Sequence, residues 1–268
     1  MNVLARAVSF HTYPVKGCAG TADTTATVAK RGLAFDREWM VVDSDGQFIT
    51  QRHAPSLALV RPTLRDGVLM ISIDTVGAVK IPLDQPFRDS RFVTVWRDHC
   101  AAIDEGNEVA SLLSEHLGRQ ARLVRMADGH ERSVRGTDAE TGFADAFPLL
   151  IISQASLADL NARIVERGGT PVPMERFRPN IVVDCCEAYA EDGWGDITIA
   201  GVTFQMSGPC ERCNVTTVDQ STGTVVPGGE PLATLATYRR GEGGVTFGQN
   251  AVHRGVGVVD AVEPVHAA

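Results

Sequence analysis

Apolar and polar positions alternate through short stretches of the first hundred residues, and a period of two predicts half-buried strands. Residues 3–11 form the first such stretch. Residues 38–43 and 47–50 flank Asp45-Gly46, and residues 57–65 and 68–73 flank Asp66-Gly67. Both dipeptides are type I′ hairpin signals. Strand patterns recur at 79–83 and 91–96. Regularly spaced short strands with tight turns predict a sandwich or barrel.

The period then lengthens. Val109, Leu112, Leu113 and Leu117 fall on one face of a helix over 107–117, with Gly118 placed to end it. Residues 127–144 are polar and predict a mobile loop or a connection between domains. Residues 147–153 read as a buried strand. Ser156 then caps a second helix, with Asp159 at capping-box spacing, an apolar stripe of Leu157, Leu160 and Ile164, and Gly168-Gly169 as its stop. Strands are expected at 180–184, 197–205, 213–218, 245–251 and 256–262, with a short helix at 230–239. The chain reads as mostly β, of α+β class, with a few helices.

Composition narrows the function. The 268 residues carry 25 Lys and Arg against 33 Asp and Glu, a net charge of −8. That balance argues against a general nucleic-acid binder. No apolar run approaches the roughly 20 residues that span a bilayer, and no membrane association is expected. The N-terminus has no secretory apolar stretch. Six cysteines (Cys18, Cys100, Cys185, Cys186, Cys210 and Cys213) are few for a disulfide framework in a chain this long, so a cytoplasmic protein with reduced thiols is expected.

Cys210 is the focal residue of Ser207-Gly208-Pro209-Cys210-Glu211-Arg212-Cys213-Asn214. A cysteine after a Gly-Pro step with an arginine two residues on is placed to be a thiolate, the form that binds metals and attacks electrophiles. The same pattern also fits small apolar core residues. One Cys-x-x-Cys pair supplies two of the four ligands of a structural zinc site, and adjacent Cys185-Cys186 are poorly spaced to complete it. A dithiol redox site lacks its βαβ context, ferredoxin-type cysteine spacing is absent, and so are the phosphate-binding glycine loops. On a strand, Cys213 would point the same way as Val215, into the core. Asp219 would shape the turn toward Ser221-Thr222-Gly223. His53 and His253 are candidate pocket residues, or isolated surface groups.

Three cations stand near strand ends. Arg178-Pro179-Asn180 leads directly into a strand, so its backbone should be stiff, and a fixed guanidinium there suits bidentate phosphate recognition. Arg37 precedes a strand, and Lys16 lies in Tyr13-Pro14-Val15-Lys16-Gly17, an exposed turn. Each alone also fits a solvated surface charge. Together with an activated cysteine they fit a phosphate-bearing cofactor held by its tail while a soft metal meets sulfur.

These residues sit in an ordered set of motifs. It comprises the Lys16 segment, Gly32-Leu33 through Asp36-Arg37, Thr50-Gln51-Arg52, Ser153-Gln154-Ala155-Ser156-Leu157, Arg176-Phe177-Arg178-Pro179-Asn180-Ile181, Cys210-Glu211-Arg212-Cys213 with Thr216-Thr217-Val218-Asp219, and Phe247-Gly248-Gln249. In that order the chain resembles the MOSC-domain family, in the branch with an N-terminal β-barrel half that includes the mitochondrial amidoxime-reducing components and their bacterial relatives. The resemblance implies an N-terminal β-barrel domain over residues 1–124 packed on a MOSC domain over 125–268. It implies a molybdenum cofactor (Mo-molybdopterin) with Cys210 as catalytic thiolate and metal ligand. By position, Lys16, Arg37, Arg178 and Asn180 would bind pterin and phosphate, Asp145 would contact the pterin, and Pro209 would line the metal. The family often has hydroxyl residues where this chain has Gly17 and Ala146, so backbone groups would serve there. The implied activity is reduction of small N-hydroxylated compounds by oxygen-atom transfer. The 268 residues contain no plant-type ferredoxin segment, so electrons are expected from a separate ferredoxin- or cytochrome b5-like protein. The alternative is a cofactor or sulfur carrier with a persulfide on Cys210.

Overall fold

The computed structural model describes residues 2–84 and 89–268. Its centre is a closed barrel of seven strands. Around the barrel run Ile181–Asp184, Leu149–Ser153, Thr246–Arg254, Val202–Glu211, Ile197–Ile199, Pro264–Ala267 and Val3–Thr12, and the last pairs back onto the first. Every pairing is antiparallel except Leu149–Ser153 with Ile181–Asp184. A parallel pair needs a long crossover, and the helix Gln154–Glu166 supplies it. Inward positions carry Ala5, Ala7, Phe10, Ile151, Val183, Phe204 and Val265, all buried. The two alanines leave room for Phe10 and Phe204 in a narrow interior. The first strand of the chain thus closes a barrel whose other strands all come from residues past 148.

The remaining N-terminal residues build smaller sheets. Ser90–Val95, Asp98–Asp104, Arg122–Met126, Trp39–Val42 and Val15–Lys16 form one of five strands, and Arg61–Arg65, Val68–Ile73 and Gly77–Pro82 form one of three. The helix Asn107–Leu117 packs Val109, Leu112 and Leu113 into a core with Trp39, Val41, Leu69, Ile71 and Leu123. Gly118 ends it in the left-handed region at φ 63°. Mostly β structure with few helices is therefore borne out.

Local departures have local causes. Asp66 and Gly67 both have positive φ, as a type I′ turn requires, but at Asp45-Gly46 only Gly46 does. There the Gly46 N–H donates to Asp43 O, making a three-residue loop closed by a left-handed glycine. The strand expected over 57–65 begins at Arg61, because Pro55–Leu59 forms a 3₁₀ turn that buries Leu57 and Ala58. The second helix is capped by Ser153, whose hydroxyl accepts the Ser156 N–H, and Asp159 instead pairs with Arg163 and Tyr189. The strand expected over 213–218 is a 3₁₀ turn, Asn214–Thr217. Hydroxyls of Thr216 and Thr217 donate to the carbonyls of Cys213 and Asn214 and favour the turn over a ladder. The segment expected to be mobile is tied down: Val134, Thr141, Phe143 and Ala144 within it are buried. Strands Thr25–Ala29, Asp98–Asp104, Arg122–Met126 and Pro264–Ala267 were not foreseen from the pattern.

Gly248 has φ 78°, and a Cβ there would lie 2.6 Å from Ile152 Cγ1 and 3.0 Å from the Ile151 carbonyl. Strain in the left-handed region and overpacking add. Gly248→Ala is expected to destabilise the protein by about 2–4 kcal/mol, measured by chemical denaturation.

Candidate functional site

A cavity of about 410 Å³ opens where the barrel meets the five-stranded sheet. Its wall includes all nine residues singled out for a cofactor: Lys16, Gly17, Arg37, Asp145, Ala146, Arg178, Asn180, Pro209 and Cys210. Residues 160 or more positions apart are brought together because the first strand and its following turn run along the barrel strand at 181–184.

Lys16 is not on an exposed turn. It lies in a short strand beside Met40 and is buried. Its ammonium donates to Phe143 O at 2.7 Å and forms a close ion pair with Asp145. The Trp96 indole N–H donates to the same carboxylate oxygen at 2.9 Å. Burial lowers the Lys16 pKa, Asp145 works against that, and Arg132 and Arg37 reinforce it. Burial alone would raise the Asp145 pKa, but Lys16, Trp96 and Arg52 outweigh it and hold the carboxyl below its usual range. The Asp145 shift reflects the cations around it, whereas the Lys16 shift is chiefly the cost of burial.

Arg132 fixes the strand of chain that carries Asp145. Its guanidinium donates to the carbonyls of Gly142, Ala144 and Asp145 and pairs with Asp98 at 2.7 Å. Gly142 allows this packing, since a Cβ there would lie 2.6 Å from the Arg37 carbonyl.

Arg37 and Arg178 lie over the Tyr13 ring, 4.5 and 4.2 Å from its centroid. Both have positive φ, 50° and 55°. Arg178 thus departs from the extended conformation that a following proline favours. Its N–H donates to Glu175 O and its carbonyl accepts Arg37 Nη2, contacts that override the local preference. Arg178 Nη1 donates to Cys18 O at 2.6 Å, whereas Nη2 is buried without an acceptor among the described residues. Burial, and next the neighbouring Arg37, push the Arg178 pKa down to about 10. Asn180 accepts Arg37 Nη1 at 3.0 Å and donates to His11 O at 3.1 Å.

Cys210 sits near the end of the Val202–Glu211 strand, where pairing with Thr246–Arg254 slips on each side of Pro209. Such bulges re-aim side chains. The half-buried sulfur receives a hydrogen bond from Arg212 Nη1 at 2.9 Å, while Nη2 donates to Phe177 O at 2.7 Å. Cys213 and Val215 also line the cavity and are half-buried, so the core role expected of Cys213 is not what the turn gives. Asp219 does shape its turn, accepting from the Ser221 and Thr222 N–H groups, and it pairs with Arg176. His53 and His253 are not part of the wall. The sequence reading missed Arg132 and Trp96, which carry no local pattern, and met Arg176 only as part of a motif. Gln51, which donates to Gly17 O at 2.6 Å, was visible only as part of a motif.

Fold and site together define a barrel protein with a cationic cavity closed at one point by a half-buried thiol. The chain belongs to the MOSC-domain family. Residues 4–120 match the MOSC N-terminal beta barrel domain and residues 138–266 the MOSC domain. It is 36% identical to mitochondrial amidoxime reducing component 2 of Rattus norvegicus, over 85% of this chain and 70% of that one. It is 32% identical to mitochondrial amidoxime-reducing component 1 of Homo sapiens, over 95% and 80%. It is 34% identical to molybdenum cofactor sulfurase of Oryza sativa subsp. japonica, over 88% of this chain but 31% of that protein. The chain thus spans about a third of the sulfurases it matches. Among the described residues no helix is long and apolar enough to cross a membrane.

Arg132→Met removes the donors that hold residues 142–145. It is expected to cost about 2–4 kcal/mol of stability by denaturant titration, with faster amide exchange confined to that segment.

Proposed function

We propose that the chain is a molybdenum-cofactor-dependent oxidoreductase that reduces small N-hydroxylated compounds such as amidoximes. The observation that carries this reading is the joining, in one cavity, of buried cations with a cysteine whose sulfur is already hydrogen-bonded to a guanidinium. The fit to an anionic pterin phosphate rests on the donors that lack partners. Arg178 Nη2 and Arg176 Nε, on residues that line the cavity, are buried without acceptors among the described residues. Buried donors are ordinarily satisfied, and a bound anion would satisfy these.

Lys16, Arg37 and Arg178 would neutralise the phosphate and orient the pterin, with Asn180 holding Arg37 in place and Asp145 meeting the pterin edge. Gly17 and Ala146 would offer backbone groups where side-chain hydroxyls are lacking, and Pro209 would keep bulk away from the metal. Cys210 would hold molybdenum as a soft thiolate. When bound, the cofactor supplies two-electron oxygen-atom transfer, and the protein positions it and excludes water. Electrons would come from a separate ferredoxin- or cytochrome b5-like protein. A second reading is favoured by the similarity to the sulfurases over the same residues: a carrier of cofactor or sulfur, with a persulfide on Cys210.

Protein made in a cofactor-competent host is expected to hold near-stoichiometric molybdenum and pterin and to reduce benzamidoxime with a chemical reductant. Cys210→Ser should alter the metal's spectroscopic signature and abolish reduction. Arg178→Gln should lower retained pterin by about tenfold or more, the worth of one charge-assisted hydrogen bond. Well-folded wild type without cofactor, but with one extra sulfur atom by mass on Cys210, would overturn the reductase reading in favour of the carrier.

A further inference from the structure

Arg52 differs from the other cations on the cavity wall. Lys16 meets Asp145, Arg37 meets Asp36 and Asn180, Arg176 meets Asp219, Arg178 meets Cys18 O, and Arg212 meets Cys210. Among the described residues the guanidinium of Arg52 has no hydrogen-bond acceptor: it rests on the Trp96 ring, 4.5 Å from the centroid, and acts on the Asp145 carboxylate only through space. A guanidinium resting on an indole keeps its in-plane N–H groups free for a carboxylate or phosphate.

The pair is built on a rigid base. The Arg52 N–H donates to Thr50 Oγ1, and the next two N–H groups donate to Thr50 O. Gln51 beside it is locked to Gly17 O and Gln220. Trp96 is anchored by Asp145 and by Phe48, whose ring lies 4.9 Å away.

Trp96 is also in an improbable place for its type. Val95 and Asp98 pair, so Trp96 and Arg97 are a two-residue hairpin loop. Trp96 has φ 57° and Arg97 does not share the positive sign, the pattern of a turn whose first position suits glycine. A bulky residue with positive φ is an outlier, and here burial gives little compensation, since Trp96 is 43% exposed. Such an outlier, held by Asp145, Phe48 and Arg52, motivates a role for this position.

Resting on the reductase reading above, we propose that Arg52 and Trp96 form an anion subsite at the cavity mouth that selects N-hydroxylated substrates bearing a carboxylate or phosphate. Arg52 receives the anionic group, and the Trp96 ring supports its guanidinium. Arg52, Trp96 and Cys210 all line this cavity, so the subsite and the thiol face one shared space.

The test uses cofactor-loaded protein. For wild type, kcat/KM for 4-carboxybenzamidoxime is expected to exceed that for benzamidoxime about tenfold, through KM. Arg52→Gln should erase the preference and leave benzamidoxime turnover intact, Arg52→Lys should restore part of it, and Trp96→Leu should weaken it. Independently of turnover, calorimetry should show 4-carbamoylbenzoate binding more tightly than benzamide, with the difference lost in Arg52→Gln. Equal binding of the two in wild type would overturn the subsite. So would a fall in pterin content in Arg52→Gln, which would assign Arg52 to the cofactor's phosphate. If neither amidoxime is reduced, the reductase reading fails, and the binding difference alone decides the subsite.

Discussion

Asn180 is the residue on which the geometry of the site depends. Its backbone N–H donates to Leu150 O and its carbonyl accepts the His11 N–H. Its side-chain oxygen accepts from Leu150 N and from Arg37, and its amide donates to His11 O. One buried side chain therefore ties the first strand, a central barrel strand and the turn bearing Arg37. An amide is suited to this because it both donates and accepts through two adjacent atoms. Asp would lose the donor and Leu would leave several buried polar groups unpaired.

Around that knot the protein holds more positive charge than its own acids balance. Arg37 and Arg178 share the Tyr13 ring, and each depends on carbonyls or an amide for part of its bonding. Taking such charges out of water costs of the order of several kcal/mol per ion before compensation. Neutral acceptors and ring faces offset part of this. The remainder is seen in the depressed pKa of Arg178 and in its unpaired Nη2. An anion entering the cavity would be bound in proportion to that deficit, which is how a chain with net charge −8 overall can present a strongly cationic interior.

Sequence patterns exposed what is local. The apolar stripe and Gly118 define the helix Asn107–Leu117 to the residue, and Asp66-Gly67 makes the expected turn. The family resemblance named nine residues that the fold brings to one cavity. What stayed hidden is tertiary. Thr216 and Thr217 read as strand residues by β-branching, yet their hydroxyls turn the backbone. Pro179 argues for an extended Arg178, yet contacts with Glu175 and Arg37 hold it left-handed. Arg132 lies in a polar run with no periodicity, and only the fold reveals the carbonyls it gathers.

The cavity cannot be assigned to either half of the chain. Lys16, Arg37, Gln51, Arg52 and Trp96 come from the region matching the N-terminal barrel model, and Asp145, Arg178, Asn180 and Cys210 from the region matching the MOSC model. The strand Val3–Thr12 belongs to the first region by sequence and to the main barrel by hydrogen bonding. Its closure of the barrel brings Tyr13, Lys16 and Arg37 to the residues after 140. Barrel closure and the cationic wall thus depend on the same strand. A substitution that opens the pairing of the first strand with Ile181–Asp184 would disperse the charges as well as weaken the fold, since the same backbone hydrogen bonds set both.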